Sequence, residues 1–292
     1  MGESVFAARA ALDKEFNLCP WRYSAEPFRI LGNLYYVGNL RVCMHLIDTG
    51  DGLILIDTGH PHTAFMLFHS IWQLGFRPSD VKYIIFSHGH FDHVGGAGPF
   101  VELYHTKTFL GAADIQVMKE QGEGRTCTPF EAVTPDQLLY DGDTVELGNT
   151  KIQFVSVPGH SPGSMAMFWD IHDGERTYRA GAFGGIGLLT LSAKALEEFG
   201  LPLSLQQDFA ASLQKVKNEP VDVVVGNHPW DNDTFGKYNR LKENPSGENP
   251  FINPNEWKEM LEKKSAEFEE FLKTGDSHVN AIASHLNQQK QK

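Results

Sequence analysis

The stretch Val81-Lys82-Tyr83-Ile84-Ile85-Phe86-Ser87-His88-Gly89-His90-Phe91-Asp92-His93 decides the fold and much of the chemistry. Its first six residues form an apolar run that reads as a buried strand. The six that close it hold three imidazoles and a carboxylate. Ligands of these types, packed this densely at the C-terminal end of a buried strand, have the composition and spacing of a zinc site that does chemistry. Two imidazoles one residue apart on a loop can both turn toward one ion, and Gly89 lets the backbone bend closely around it. Asp92 and His93 follow at once and point elsewhere, toward a second ion.

Two more histidines stand in the same setting, a Gly/Pro-rich turn directly after a strand. His160 lies in Val157-Pro158-Gly159-His160-Ser161-Pro162-Gly163, and His228 in Val225-Gly226-Asn227-His228-Pro229-Trp230. Each alone is an ordinary turn histidine, but beside the first motif both become candidate ligands.

Working outward, 28–57 reads as a β-meander, with strands Phe28 to Leu31, Leu34 to Val37, Val42 to Asp48 and Leu53 to Asp57 joined at Gly32-Asn33 and Asp51-Gly52. A helix is expected over Thr63 to Leu74, stopped at Gly75. Further on, the pattern predicts helices over Lys107 to Gln121 and Leu203 to Val216. Strands are predicted at Thr144 to Leu147, Lys151 to Val157, Ser164 to Ile171, Arg176 to Ala182 and Val221 to Val225. Two blocks of strands with accompanying helices imply an α/β fold, a two-sheet core covered by helices on both outer faces. The Asn-, Pro- and Gly-rich segment Lys237 to Asn255 reads as a loop.

The 292 residues, 41% hydrophobic and 21% charged, suit a single domain, 1–292, with a helical extension at about 255–275 and a frayed tail beyond Gly275. A net charge of −12 leaves no electrostatic footprint for nucleic acid and disfavours an anionic membrane. Three cysteines, Cys19, Cys43 and Cys127, argue against a disulfide framework and fit a reducing cytosol. Met1 to Trp21 carries no apolar core of a secretory signal, and no window of 18 apolar residues occurs. The expectation is a cytoplasmic protein acting on a small molecule. Homo-oligomerisation stays open, since the terminal helix could cover its own domain or a second subunit.

The pattern His88-x-His90-x-Asp92-His93 resembles the hallmark of the metallo-β-lactamase superfamily. The resemblance extends from Leu55-Ile56-Asp57-Thr58-Gly59 through Ser87 to Gly96, and on to Gly159 to Gly163 and His228. It implies an αββα sandwich, two mixed sheets covered by helices, with the site along one edge of the sheets. Carried over residue by residue, it implies a first zinc ion held by His88, His90 and His160, and a second held by Asp92, His93 and His228. Asp57 matches an aspartate that orients a ligand rather than holding metal. Read from the residues alone, Asp57 is equally a strand-end turn residue.

Many superfamily hydrolases, including the glyoxalase II type and the quorum-quenching lactonases, carry a bridging aspartate after a Gly at the end of a later strand. Here Ala182, in Ala180-Gly181-Ala182-Phe183-Gly184, stands in that place, and an alanine cannot ligate metal. The arrangement, together with Pro27 to Gly38, is most similar to the third subclass of metallo-β-lactamases. That subclass's substrate-binding serines align with Ala182 and Gly184. His90 stands where a flavodiiron protein would carry Glu, which favours zinc over a di-iron centre.

The resemblance therefore implies a dinuclear zinc hydrolase that opens a cyclic amide or ester. Two zinc ions sharing a water would lower its pKa toward about 7, and the hydroxide would attack a carbonyl while Asp92 orients it and accepts its proton. His62, Phe91, Phe183, Trp230 and Tyr238 are candidate wall residues for an apolar substituent. His60 and His62 form a further His-x-His pair, read as edge residues of the site. The alternatives are a lactonase or another ester or thioester hydrolase, a mononuclear iron sulfur-dioxygenase, and a binding protein that kept the fold and lost catalysis.

Overall fold

A computed structural model describes residues 14–124 and 129–275. The tail expected to fray beyond Gly275, most of the Met1 to Trp21 stretch, and Cys127 lie outside the described residues.

Two mixed sheets form the core. The first has seven strands in sequence order: β1 (Phe28–Leu31), β2 (Leu34–Tyr36), β3 (His45–Asp48), β4 (Leu53–Ile56), β5 (Val81–Ile85), β6 (Lys107–Gly111) and β7 (Gln137–Leu139). The first four form the antiparallel meander, and β4 to β7 pair in parallel. The second sheet has five strands, β8 (Thr144–Leu147), β9 (Thr150–Ser156), β10 (Met165–Asp173), β11 (Arg176–Ala182) and β12 (Val223–Val225), in the order β12-β11-β10-β9-β8. Only its β11–β12 pair is parallel.

Helices packed around the sheets include α1 (Ala64–Gln73), α2 (Phe91–Val94), α3 (Gly98–Tyr104), α4 (Ile115–Gly122), α5 (Ala193–Phe199), α6 (Leu205–Val216), α7 (Thr234–Glu243) and α8 (Glu256–Thr274). Strand β5 explains its own composition. Ile85 enters the core between the sheets, with Ile54, Phe154, Met167 and Trp169. Ile84 and Phe86 point the other way, onto Leu67 and Ile71 of α1 and Phe100 of α3. A strand covered on both faces needs a continuous apolar run rather than an alternating one. The outer face of the second sheet packs Ala166, Phe168 and Val224 against Phe209 and Leu213 of α6 and Trp257, Leu261 and Phe268 of α8. The αββα sandwich is thus the observed architecture. Among the described residues, no helix is long and apolar enough to cross a membrane.

Local expectations fail where tertiary pairing overrides pattern. The helix predicted over Lys107 to Gln121 begins as strand β6, because Tyr83, Ile84 and Ile85 offer a parallel edge to Lys107, Thr108 and Phe109; helix α4 starts only at Ile115. The strand predicted from Val42 is shortened to β3. Asn39 Oδ1 accepts from the backbone N–H groups of Arg41 and Val42 and holds a turn there. The segment predicted as a loop from Lys237 is helical to Glu243, where Lys237 makes a buried ion pair with Glu256 at the start of α8.

Candidate metal centre

Strand β5 ends at Ile85, and the chain turns through Ser87, His88 and Gly89 before α2 begins at Phe91. The short helix reverses the direction of the side chains, so the motif divides. His88 and His90 meet His160, which enters from the turn after β9, while Asp92 and His93 meet His228 from the turn after β12. In each triad the candidate donor atoms lie within 4.8 Å of one another. His90 Nδ1 faces His160 Nε2 at 3.0 Å. Asp92 Oδ2 lies 3.8 Å from His93 Nε2 and 3.9 Å from His228 Nε2. The His88 and His93 rings stand 4.1 Å apart, so the two triads adjoin.

Backbone and side-chain acceptors fix which nitrogen faces inward for four of the five imidazoles. His160 Nδ1 donates to the Gly187 carbonyl at 2.8 Å, and His228 Nδ1 to the Arg41 carbonyl at 2.7 Å. His93 Nδ1 donates to Asp57 Oδ2 at 2.8 Å. Ser87 Oγ donates its one proton to Asp57 Oδ2 at 2.7 Å, so at 3.0 Å it accepts from His88 Nδ1. Each of these hydrogen bonds leaves the Nε2 lone pair directed into its triad, as metal ligation requires.

The fit to metal rests on His88. Its Nε2 is buried with no hydrogen-bond partner, and a buried polar atom left unmade costs about 1–3 kcal/mol unless something else satisfies it. Burial also pushes the His88 ring well below the usual histidine range, aided by His93, His90 and His160. His160 is lowered to about 4, chiefly by burial, and His228 is lowered for the same reason. The rings are therefore neutral at pH 7, the form that ligates divalent metal. Imidazoles and one carboxylate, without thiolate, suit zinc and other borderline cations.

Asp57 stands at a strand-end turn and also hydrogen-bonds a candidate ligand. Its backbone is left-handed, with φ of 60°, at the end of β4, a conformation Asp tolerates better than most residues. Its carboxylate also accepts from the Ser87 backbone N–H at 2.7 Å.

The wall candidates separate. Trp230 stacks on the His228 ring, with centroids 4.6 Å apart and planes 5° from parallel. Phe91 meets His60 edge-on, and His60 and His62 both pack against Phe16. Phe183 instead lies in the core beneath α6, against Phe209. Tyr238 stacks on Phe28 at 3.8 Å and bonds Glu26. Ala182 is buried in the core between the sheets, and the 183–187 loop beyond it wraps His160 with no carboxylate. Sequence reasoning passed over Ser87, Phe16, Asp114 and Asn227. Asn227 Oδ1 accepts from Gly185 N–H and ties the loop around His160 to the His228 turn. The one signal for Ser87 and Asn227 was adjacency to a candidate ligand.

Residues 38–174 match the family described as the metallo-β-lactamase superfamily. The fold superimposes on the FEZ-1 metallo-β-lactamase from Legionella gormanii with a TM-score of 0.77 at 31% identity, over 86% of this chain and 97% of that one. With BJP-1, a subclass B3 metallo-β-lactamase of Bradyrhizobium japonicum, the TM-score is 0.78 at 29% identity, over 86% and 95%. The chain belongs to the metallo-β-lactamase superfamily, a family of metal-dependent hydrolases. In sequence it is also similar to an N-acyl homoserine lactonase of Bacillus cereus, 28% identical in an alignment that covers 57% of this chain and 68% of the lactonase. With the corresponding lactonase of Bacillus thuringiensis the match spans 58% of that protein at 29% identity.

Proposed function

We propose that this chain is a dinuclear zinc hydrolase that opens a cyclic amide or ester, a β-lactam or a lactone, with one ion held by His88, His90 and His160 and the other by Asp92, His93 and His228. The observation that carries the reading is the division of six donor residues into two adjoining triads, each within 4.8 Å. Zinc at both positions would supply Lewis acidity for a carbonyl oxygen and would acidify water toward a pKa of about 7.

The chain's own residues do the rest. Asp57 and Ser87 hold His88 and His93 in one tautomer. Asp92 orients the attacking water and accepts its proton. Trp230 and Phe91 offer apolar wall to the substituent beside the ring that opens. No separate strong acid stands among the site residues, so strained or activated acyl groups are the preferred substrates. A lactone shares with a β-lactam a carbonyl in a small ring, and the similarity to the Bacillus lactonases keeps both rings in one reading.

The test is turnover of nitrocefin and of N-hexanoyl homoserine lactone by zinc-loaded protein, before and after chelation. Hydrolysis of either, lost with chelator and restored by zinc, is the expected result. Turnover of neither overturns the substrate reading, and one bound iron with thiol-dependent oxygen uptake replaces it with a sulfur-dioxygenase.

A further inference from the structure

Asp114 is fully buried and makes three short hydrogen bonds, none with a candidate metal ligand's side chain. Its Oδ2 accepts from the Gly89 N–H at 2.7 Å and from Ser161 Oγ at 2.6 Å, and its Oδ1 accepts from the Gly163 N–H at 2.6 Å. Gly89 stands between His88 and His90, and Ser161 follows His160. One carboxylate thus fastens together the two loops that carry a complete triad.

The residue stands immediately before α4, where an aspartate ordinarily caps its own helix. Asp114 makes no such cap bond. Its carboxylate is turned to the loops instead. The packing is built for that contact, since a Cβ on Gly163 would lie 2.7 Å from Asp114 Cβ and one on Gly89 3.1 Å from the same atom. Gly111 allows the approach from the other side, where a Cβ would lie 2.0 Å from the Gly163 carbonyl oxygen.

We propose that Asp114 is a positioning residue that sets the spacing of His88, His90 and His160 by clamping their two loops, and that it acts on this triad and not on Asp92, His93 and His228. The role rests on reading the triad as a metal site. Asn is isosteric but turns one acceptor into a donor, so in D114N an amide N–H must face Gly89 N–H or Gly163 N–H. Partners of this kind typically change metal affinity by about 10–100-fold.

Zinc titration against a chromophoric chelator tests it, with H160A and H228A assigning the two binding constants to their triads. D114N is expected to weaken the constant of the His88, His90, His160 triad by about 10–100-fold, with a smaller loss in S161A and the other constant unchanged. D136N, which alters a carboxylate that bonds Thr108, is expected to change neither constant. Equal weakening of both constants, or a lowered melting temperature with both constants intact, overturns the role. If D114N does not fold, unaltered constants in S161A overturn it. A parent chain that takes up no zinc overturns the metal reading along with the role. Two zinc ions in the parent, with D114N behaving as D136N, overturn the role alone.

Discussion

Asp57 Oδ2 lies 2.8 Å from His93 Nδ1, and the same oxygen reaches His88 through Ser87 Oγ. One carboxylate therefore anchors a histidine from each triad. D57N keeps the side-chain volume and tolerates the left-handed backbone, but its amide can present a donor to His93. Both metal constants are expected to weaken by about 10–100-fold. D57A adds backbone strain at φ of 60° and loses about 1–3 kcal/mol of stability as well. Loss at one triad only would contradict the shared anchor.

Gly185 bears on the other side of the centre. It has φ of 84°, and a Cβ there would lie 2.3 Å from His160 Cδ2. G185A is expected to push His160 out of its triad, lowering zinc to about one per chain while destabilising the fold by about 1 kcal/mol or more. Metal content and urea denaturation measured together check both parts.

The chelated protein should lose stability in mild acid. His45, buried in strand β3, and His160 are both lowered to about 4, mainly by burial. Between pH 6.5 and 4 the unfolded chain binds protons at these rings that the folded chain does not. Stability is therefore full above about pH 6.5 and falls as the pH drops toward 4, by about 3 kcal/mol for His45 alone. H45L should show a shallower fall in urea midpoint over that window. An unchanged slope would show that His45 does not cause the fall.

Lys237 Nζ lies 2.6 Å from Glu256 Oε2, with both side chains largely buried between α7 and α8. K237M leaves a carboxylate without its partner and is expected to cost about 3 kcal/mol, while K237M/E256L recovers most of that. Neither variant should change zinc binding.

The sandwich was legible because its signals are redundant. Strand β5 carries an apolar run, a ligand motif and a turn in one stretch, and the meander declares itself by Gly-containing turns. His88, His90, His160 and His228 were legible as candidates because each follows a strand end in a turn that contains Gly or Pro, and Asp92 and His93 because they close the first motif. What escaped depends on contacts distant in sequence. Strand β6 exists through its parallel edge with β5, so Lys107 to Gly111 looked helical. Asp114 falls inside the helix predicted over Lys107 to Gln121, and only the folded chain carries Gly89 and Gly163 to it. Phe183 and Tyr238 have the chemistry of wall residues, but their direction is set by packing on Phe209 and Phe28.

The proposed function needs two ions in two distinct triads. Anomalous diffraction at the zinc edge from crystals of the zinc-loaded protein tests it most directly. Two peaks are expected, one within ligand distance of His88, His90 and His160 and one within ligand distance of Asp92, His93 and His228. A single peak shared by both triads, or none at either, would contradict it.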